Sequence, residues 1–316
     1  EPWKWLYDAD LICVENPKDK MIGYCSVMGR AGEHYALGVY LGDEGLSGFC
    51  DLMENADTIP YHQALHFQDC IMCSFEDREL LSKQDREEIK ALGFSFRGRN
   101  AWPRFRRLKP GFYPWFINQD ECVFLTYALR QTLFAAHKVI DGQLRMDIER
   151  GETILRHSKE KDGKLEWYSK EILLDFPTVI YNPVEINDDL LIQRIKKAEG
   201  MGNASLQVDI CYLPSPVQEK RGARPYFPRI FILVEPKSGL VVDFHMYQSI
   251  NDDADVALNR LIGFCLEKGV PREIQVRSAK MAAILDDFCQ KTDIKLKLVK
   301  SLSSIDQVLE EMADRF

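Results

Sequence analysis

The feature that most restricts the fold is a switch of hydrophobic period in the last third of the chain. From Ser205 to Leu213 apolar and polar residues alternate, with Leu206, Val208, Ile210 and Tyr212 in phase, which is the period of a half-buried strand. Arg229 to Glu235 is a continuous apolar run, as in a central strand, and Leu240 to Tyr247 returns after the turn sequence Pro236-Lys237-Ser238-Gly239. The period then becomes helical: Ala254, Ala257, Leu258, Leu261, Ile262 and Cys265 share one face, and Gly269 and Pro271 end the helix. Glu273 to Val276 predicts a short strand. Ser278 caps a helix with Met281, Ile284, Leu285 and Phe288 on its face. Ile294, Leu296 and Leu298 alternate with lysines, and Ile305, Val308, Leu309 and Met312 mark a last helix. Crossover helices join parallel strands, so the strands at 273–276 and 294–298 are expected to add in parallel to one sheet with the first three.

This order, three strands and then alternating helices and strands, resembles the ribonuclease H-like superfold, which hosts nucleases, transposases and relatives that have lost catalysis. The expected class is α+β with two domains. Residues 1–145 form an N-terminal domain with a hairpin and a buried helix; residues 146–316 form a ribonuclease H-like domain with its core at 205–316. The resemblance implies three or four carboxylates converging on two divalent metals. Asp209 lies in the right strand, Asp253, Asp255 and Glu267 in the first helix, and Asp306 and Glu310 in the last. At the end of the fourth strand, where another carboxylate is expected, stands Arg277-Ser278, and a cation there repels a metal. The alternative reading makes Asp209 a solvent-facing strand residue and has Asp252 to Asp255 favour a helix N-terminus through its dipole.

The N-terminal half reads as follows. Trp3 to Val14 runs from a short helix into a strand. Met21 to Met28 and His34 to Leu41 form a hairpin around Gly29-Arg30-Ala31-Gly32. A loop and helix fill Gly42 to Asn55, a strand residues 65–75, and a helix Ser82 to Leu92. Asn118 and Glu121 make a capping box for a helix to Ile140 that is apolar nearly all round, hence expected in the core. The polar stretch from Asp141 to Gly151 is the expected boundary. Beyond it lie a hairpin with a charged tip (Thr153 to His157, Leu165 to Leu173) and a helix from Ile186 to Gly200. The chain is similar to an uncharacterised two-part bacterial family with a domain of unknown function at each end. The residues that carry this are Tyr24 to Gly42, Phe96 to Pro103, and the hairpin-helix unit at the back.

Residues 94–116 hold six basic residues, eight aromatics and no acid in a chain of net charge −8. Arg97, Arg99, Arg104, Arg106, Arg107 and Lys109, interleaved with rings such as Trp102, suit a nucleic acid or a smaller anion, where cations meet phosphates and rings stack on bases. The competing reading is a loop pinned to its own domain, its arginines paired with surplus carboxylates. His62, His66, Cys70 and Cys73 are possible zinc ligands. Their spacing is too short for a structural site, and two cysteines three apart in a strand point to opposite faces. No cofactor or metal is therefore expected. No apolar run approaches the ~18 residues of a membrane span, and the opening Glu1-Pro2-Trp3-Lys4-Trp5 has neither signal nor transit character. Nine cysteines, an odd and scattered set, suit free thiols in a reducing cytoplasm. The leading expectation is a cytoplasmic, non-enzymatic binding protein with a basic-aromatic face for an anionic partner, at Arg97, Arg99, Trp102, Arg104, Arg106 and Arg107. A metal-dependent nuclease built on Asp209, Asp253, Asp255 and Asp306 is the first alternative, a zinc-stabilised regulatory protein the second.

Overall fold

A computed structural model of the chain describes residues 1–55, 59–177 and 180–313. It divides into two compact units: Glu1–Ala56, Leu65–Pro110 and Pro114–Thr178 form one, and Asp57–Ala64, Gly111–Tyr113 and Val179–Phe316 the other. In chain order the elements of the first half are β1 (Ile12–Glu15), β2 (Ile22–Met28), β3 (Tyr35–Leu41), α1 (Gly42–Asn55), α2 (Tyr61–Ala64), β4 (Cys70–Glu76), α3 (Lys83–Ala91), β5 (Trp102–Lys109), β6 (Phe112–Trp115), α4 (Gln119–Ile140), β7 (Glu152–Lys161) and β8 (Lys164–Leu173). The second half adds α5 (Asp189–Lys196), β9 (Ser205–Tyr212), β10 (Arg229–Glu235), β11 (Leu240–Tyr247), α6 (Asp253–Lys268), β12 (Glu273–Val276), α7 (Ala279–Lys291), β13 (Lys295–Leu298) and α8 (Ser303–Ala313).

The N-terminal sheet has eight strands in the order β6-β5-β4-β3-β2-β1-β7-β8. The expected hairpin is β2–β3, turned by Gly29 and Gly32 at positive φ. Because side chains alternate along each strand, the sheet has two apolar faces. Ile12, Val14, Cys25, Val39, Ile71 and Cys73 meet α4 on one, and Cys13, Tyr24, Tyr40 and Cys70 meet Leu46 and Phe49 of α1 on the other. Gly23 lets α4 close on the sheet, since a Cβ there would lie 2.7 Å from the Phe124 ring. α4 buries a single stripe (Phe124, Leu125, Ala128, Thr132, Ala135, Ala136) and leaves Val123, Leu133 and Phe134 exposed, so it is a one-faced helix and not one enclosed all round.

Further expectations change. The strand placed at 65–75 starts at Cys70, because Tyr61–Ala64 and Leu65–Phe67 are short helical turns. Much of the stretch at 94–116, read in one alternative as a loop, forms β5 and β6, with β5 hydrogen-bonded to β4 from Glu76↔Trp102 to Cys70↔Leu108. The boundary expected between residues 145 and 146 assigns the hairpin β7–β8 to the second domain, yet β7 pairs in parallel with β1 and so extends the first sheet.

The C-terminal sheet has the order β11-β10-β9-β12-β13. β9, β10 and β11 are antiparallel neighbours, while β12 joins β9 and β13 joins β12 in parallel. With the strands numbered in chain order this is 3-2-1-4-5 with the second reversed, and the unit is ribonuclease H-like, as its element order implied. Leu206, Val208, Phe231 and Leu233 pack under α6 and α7. Cys211, Ile230, Ile232 and Val234 pack under α8. β9 is thus covered on both faces, and its polar side chains must find partners inside the fold.

Candidate functional site

That requirement decides what the carboxylates of the C-terminal unit do. Gln207 and Asp209 alternate with Leu206 and Val208, which turns them to the α8 side. Gln207 Oε1 accepts from the backbone N–H groups of Ser304 and Ile305 at 3.2 and 3.4 Å, capping α8. Asp209, 3% exposed, is not the solvent-facing residue of the alternative reading. Its Oδ2 accepts from Arg277 Nε at 2.7 Å, and Arg277 Nη1 donates to Asp306 Oδ1 at 2.5 Å. The β9–β12 pairing places Arg277, just past the end of β12, beside Asp209. One guanidinium therefore spans the two carboxylates that the nuclease reading assigns to a metal. Burial pushes the Asp209 carboxyl above its ordinary range, against the pull of Arg277. Burial also works against the Arg277 charge, but Asp209 and Asp306 outweigh it and hold the guanidinium above its ordinary value. His62, of the same unit, is lowered by burial first and by Arg277 second.

Asp253, at the start of α6, is 2% exposed and equally committed. Arg229 grips it with two bonds, Nε to Oδ1 at 2.6 Å and Nη2 to Oδ2 at 2.7 Å. Tyr247 donates its hydroxyl at 2.7 Å and Lys280 its ammonium at 2.6 Å. Asp255 is exposed on α6. The four carboxylates of the nuclease reading are thus split between two cation-filled sites and the surface. Among the described residues no three His, Cys, Asp or Glu side chains are grouped to hold a metal. Cys70 and Cys73 belong to opposite faces of the first sheet. Burial pushes both thiols up to about 12.

The basic stretch divides in two. Arg106 forks onto Asp85 at 2.9 and 2.6 Å, and Asp85 also forms the capping box of α3 with Ser82. Arg107 is held by Asp69, by Glu121 at 3.1 Å and by the Cys70 carbonyl. Arg104 reaches Glu76 at 3.7 Å. As ligand-binding residues Arg106 and Arg107 are therefore corrected: their charges are used within the unit, and Arg106 positions α3. Arg97 and Arg99 lie exposed on the loop 94–101. That loop is fixed where Asn100, at φ 49°, donates its N–H to Asp77 Oδ1 at 2.9 Å.

Beside this loop is a cleft of about 320 Å³ that the amino-acid pattern did not suggest. Its walls include Arg78, Lys83, Arg86 and Lys90, with Glu87 as the one carboxylate, and the rings of Phe94 and Trp102. Lys83, Arg86 and Lys90 recur at i, i+3 and i+7 on α3, so one helix face carries all three, and that spacing was the available signal. The Arg78 guanidinium sits 5.8 Å from the Trp102 ring centroid. Phe96 braces both rings, stacked with Phe94 at 6.2 Å and edge-on to Trp102 at 5.9 Å.

Residues 1–156 match a family described as a domain of unknown function (DUF7309). Residues 191–313 match a second, also described as a domain of unknown function (DUF6930). The two matches cover the N- and C-terminal parts of the chain. The cleft lies in the DUF7309 segment and Arg277 in the DUF6930 segment. No curated protein matches. Among solved structures, a simian T-cell lymphotropic virus intasome in complex with a PP2A regulatory subunit is similar at 16% identity and a TM-score of 0.28, over 37% of this chain and 43% of that one. The HTLV-2 integrase catalytic core domain in complex with magnesium is similar at 13% identity and a TM-score of 0.26, over 37% of this chain and 84% of that one.

Proposed function

We propose that the protein is a non-enzymatic binding protein whose basic-aromatic cleft receives an anionic partner. The observation that carries this reading is the Arg277 guanidinium lying between Asp209 and Asp306. A two-metal reaction needs those oxygens free to clamp cations, and a buried arginine satisfies them permanently. The cleft supplies the complementary half, four cations against one carboxylate in a chain that is acidic overall. Nine unpaired cysteines support a reducing compartment, the cytoplasm.

Incubation with Mg²⁺ or Mn²⁺ and single-stranded or duplex DNA and RNA is expected to give no cleavage. Cleavage that disappears in Asp209→Asn would overturn the reading in favour of a nuclease. The same preparation is expected to be retained on a heparin column and released by salt, as screening of the cleft requires.

A further inference from the structure

We infer that the partner seated in the cleft between α3 and the loop 94–101 is a single-stranded nucleic acid, a nucleotide base against Phe94 and Trp102 and its phosphates along α3. This rests on the reading of the cleft as an anion site and adds the class of ligand.

Three observations carry it. The first is the layout of charge. Lys83, Arg86 and Lys90 rise along one helix face, ~4.5 Å and then ~6 Å apart along the axis. They make a row, whereas a lone phosphate or carboxylate is held by groups that converge on one point. Arg97 and Arg99 sit on the loop that bears the rings, so cations flank the aromatic wall on both sides in sequence. A row of charge fits a chain of phosphates.

The second is the rings. Phe94 is 60% exposed on a loop, which leaves a large apolar plane in water unless something flat covers it. Phe96 supports it from behind at 6.2 Å, so the plane is braced. A base offers such a face in any sequence. The third is size. At about 320 Å³ the cleft has room for one nucleotide-sized group and not for the width of a duplex. Base faces are also available only where a strand is unpaired. An acidic peptide would satisfy the cations and leave the rings uncovered.

The test is fluorescence anisotropy of the whole chain with labelled 12-nucleotide oligothymidylate and oligouridylate, the matching duplex, and unlabelled polyphosphate and polyglutamate as competitors. Phe94→Ala, at an exposed position that carries little of the fold, is expected to weaken single-strand binding about ten-fold and to leave polyphosphate binding unchanged. Lys90→Ala is expected to weaken both. It should also flatten the log–log salt dependence for the strand by about 0.7, the share of a single neutralised phosphate. Trp102→Ala repeats the ring test, with a thermal melt to exclude unfolding. If no polyanion binds, the anion reading falls and this inference with it. If all polyanions bind alike and Phe94→Ala changes nothing, the anion reading stands and this inference is overturned. Tighter binding of polyglutamate or of the duplex overturns it too.

Discussion

At the carboxylate positions of the C-terminal unit each cation has its counter-charge in hand: Arg277 between Asp209 and Asp306, Arg229 and Lys280 on Asp253. In the N-terminal cleft Arg78, Lys83, Arg86 and Lys90 share one carboxylate, Glu87. The same charge type is thus an internal fastening in one place and an open surface in the other. Burial makes the difference. The Arg277 and Arg229 side chains are 11% and 6% exposed, where an unpaired ion would cost several kcal/mol, so a partner is obligatory. Lys83, at 85%, keeps its charge in water, and its pairing with Glu87 at 3.6 Å is a solvent-exposed contact of little energy. In the C-terminal unit these carboxylates are internal fastenings, while the cleft cations of the N-terminal unit face water.

If that contrast is right, substitutions should rank by how much charge they strand. Asp253→Ala leaves Arg229 buried without its fork and should cost about 3–5 kcal/mol in chemical denaturation, the largest effect here. Arg277→Ala strands Asp209 and should cost about 3 kcal/mol at neutral pH. Its penalty depends on pH in a set direction. With the guanidinium gone, burial raises the folded pKa of Asp209 further above the unfolded value. The folded state then binds the proton more tightly, so the variant is closest to wild type below about pH 4 and loses stability as pH rises through the folded pKa.

Arg106→Ala should cost about 2 kcal/mol, the worth of hydrogen bonds to a charged group. Burial pushes the Asp85 carboxyl up, but the bonds from Arg106 and Ser82 outweigh it and hold it below the usual range. That contribution is present above the unfolded carboxylate range and lost as pH falls through the folded pKa. The smallest effect belongs to the double variant Arg97→Ala and Arg99→Ala. It should leave the denaturation midpoint in place and weaken heparin retention. A large loss of stability in that variant, or none in Asp253→Ala, would break the contrast.

The C-terminal fold was legible because its strands and helices differ in period and alternate. Arg277 was legible as a cation at the end of the fourth strand. Its contact with Asp209 was not, because it depends on β12 lying next to β9, a pairing 68 residues apart. Asp209 itself misleads: in a strand covered on both faces, polar residues in the alternating phase are buried too, and only the position of α8 reveals it. β5 and β6 escaped because Trp102, Arg104 and Arg106 alternate with Pro103, Phe105 and Arg107, a pattern with no apolar phase. The run of basic residues at 94–116 mixes arginines neutralised within the unit, Arg106 and Arg107, with the exposed Arg97 and Arg99. Arg78 and the cations of α3 lay among acids, where composition hides them and only helical spacing brings them out.

Whether Arg277 stands where a metal would is read by electron paramagnetic resonance of Mn²⁺ added stepwise to the wild-type protein, since the signal reports free ion. Free Mn²⁺ is expected to appear in full from the first addition, because Arg277 already occupies the space between Asp209 and Asp306. Uptake of one Mn²⁺ per chain in the wild type, abolished by Asp209→Asn, would contradict it.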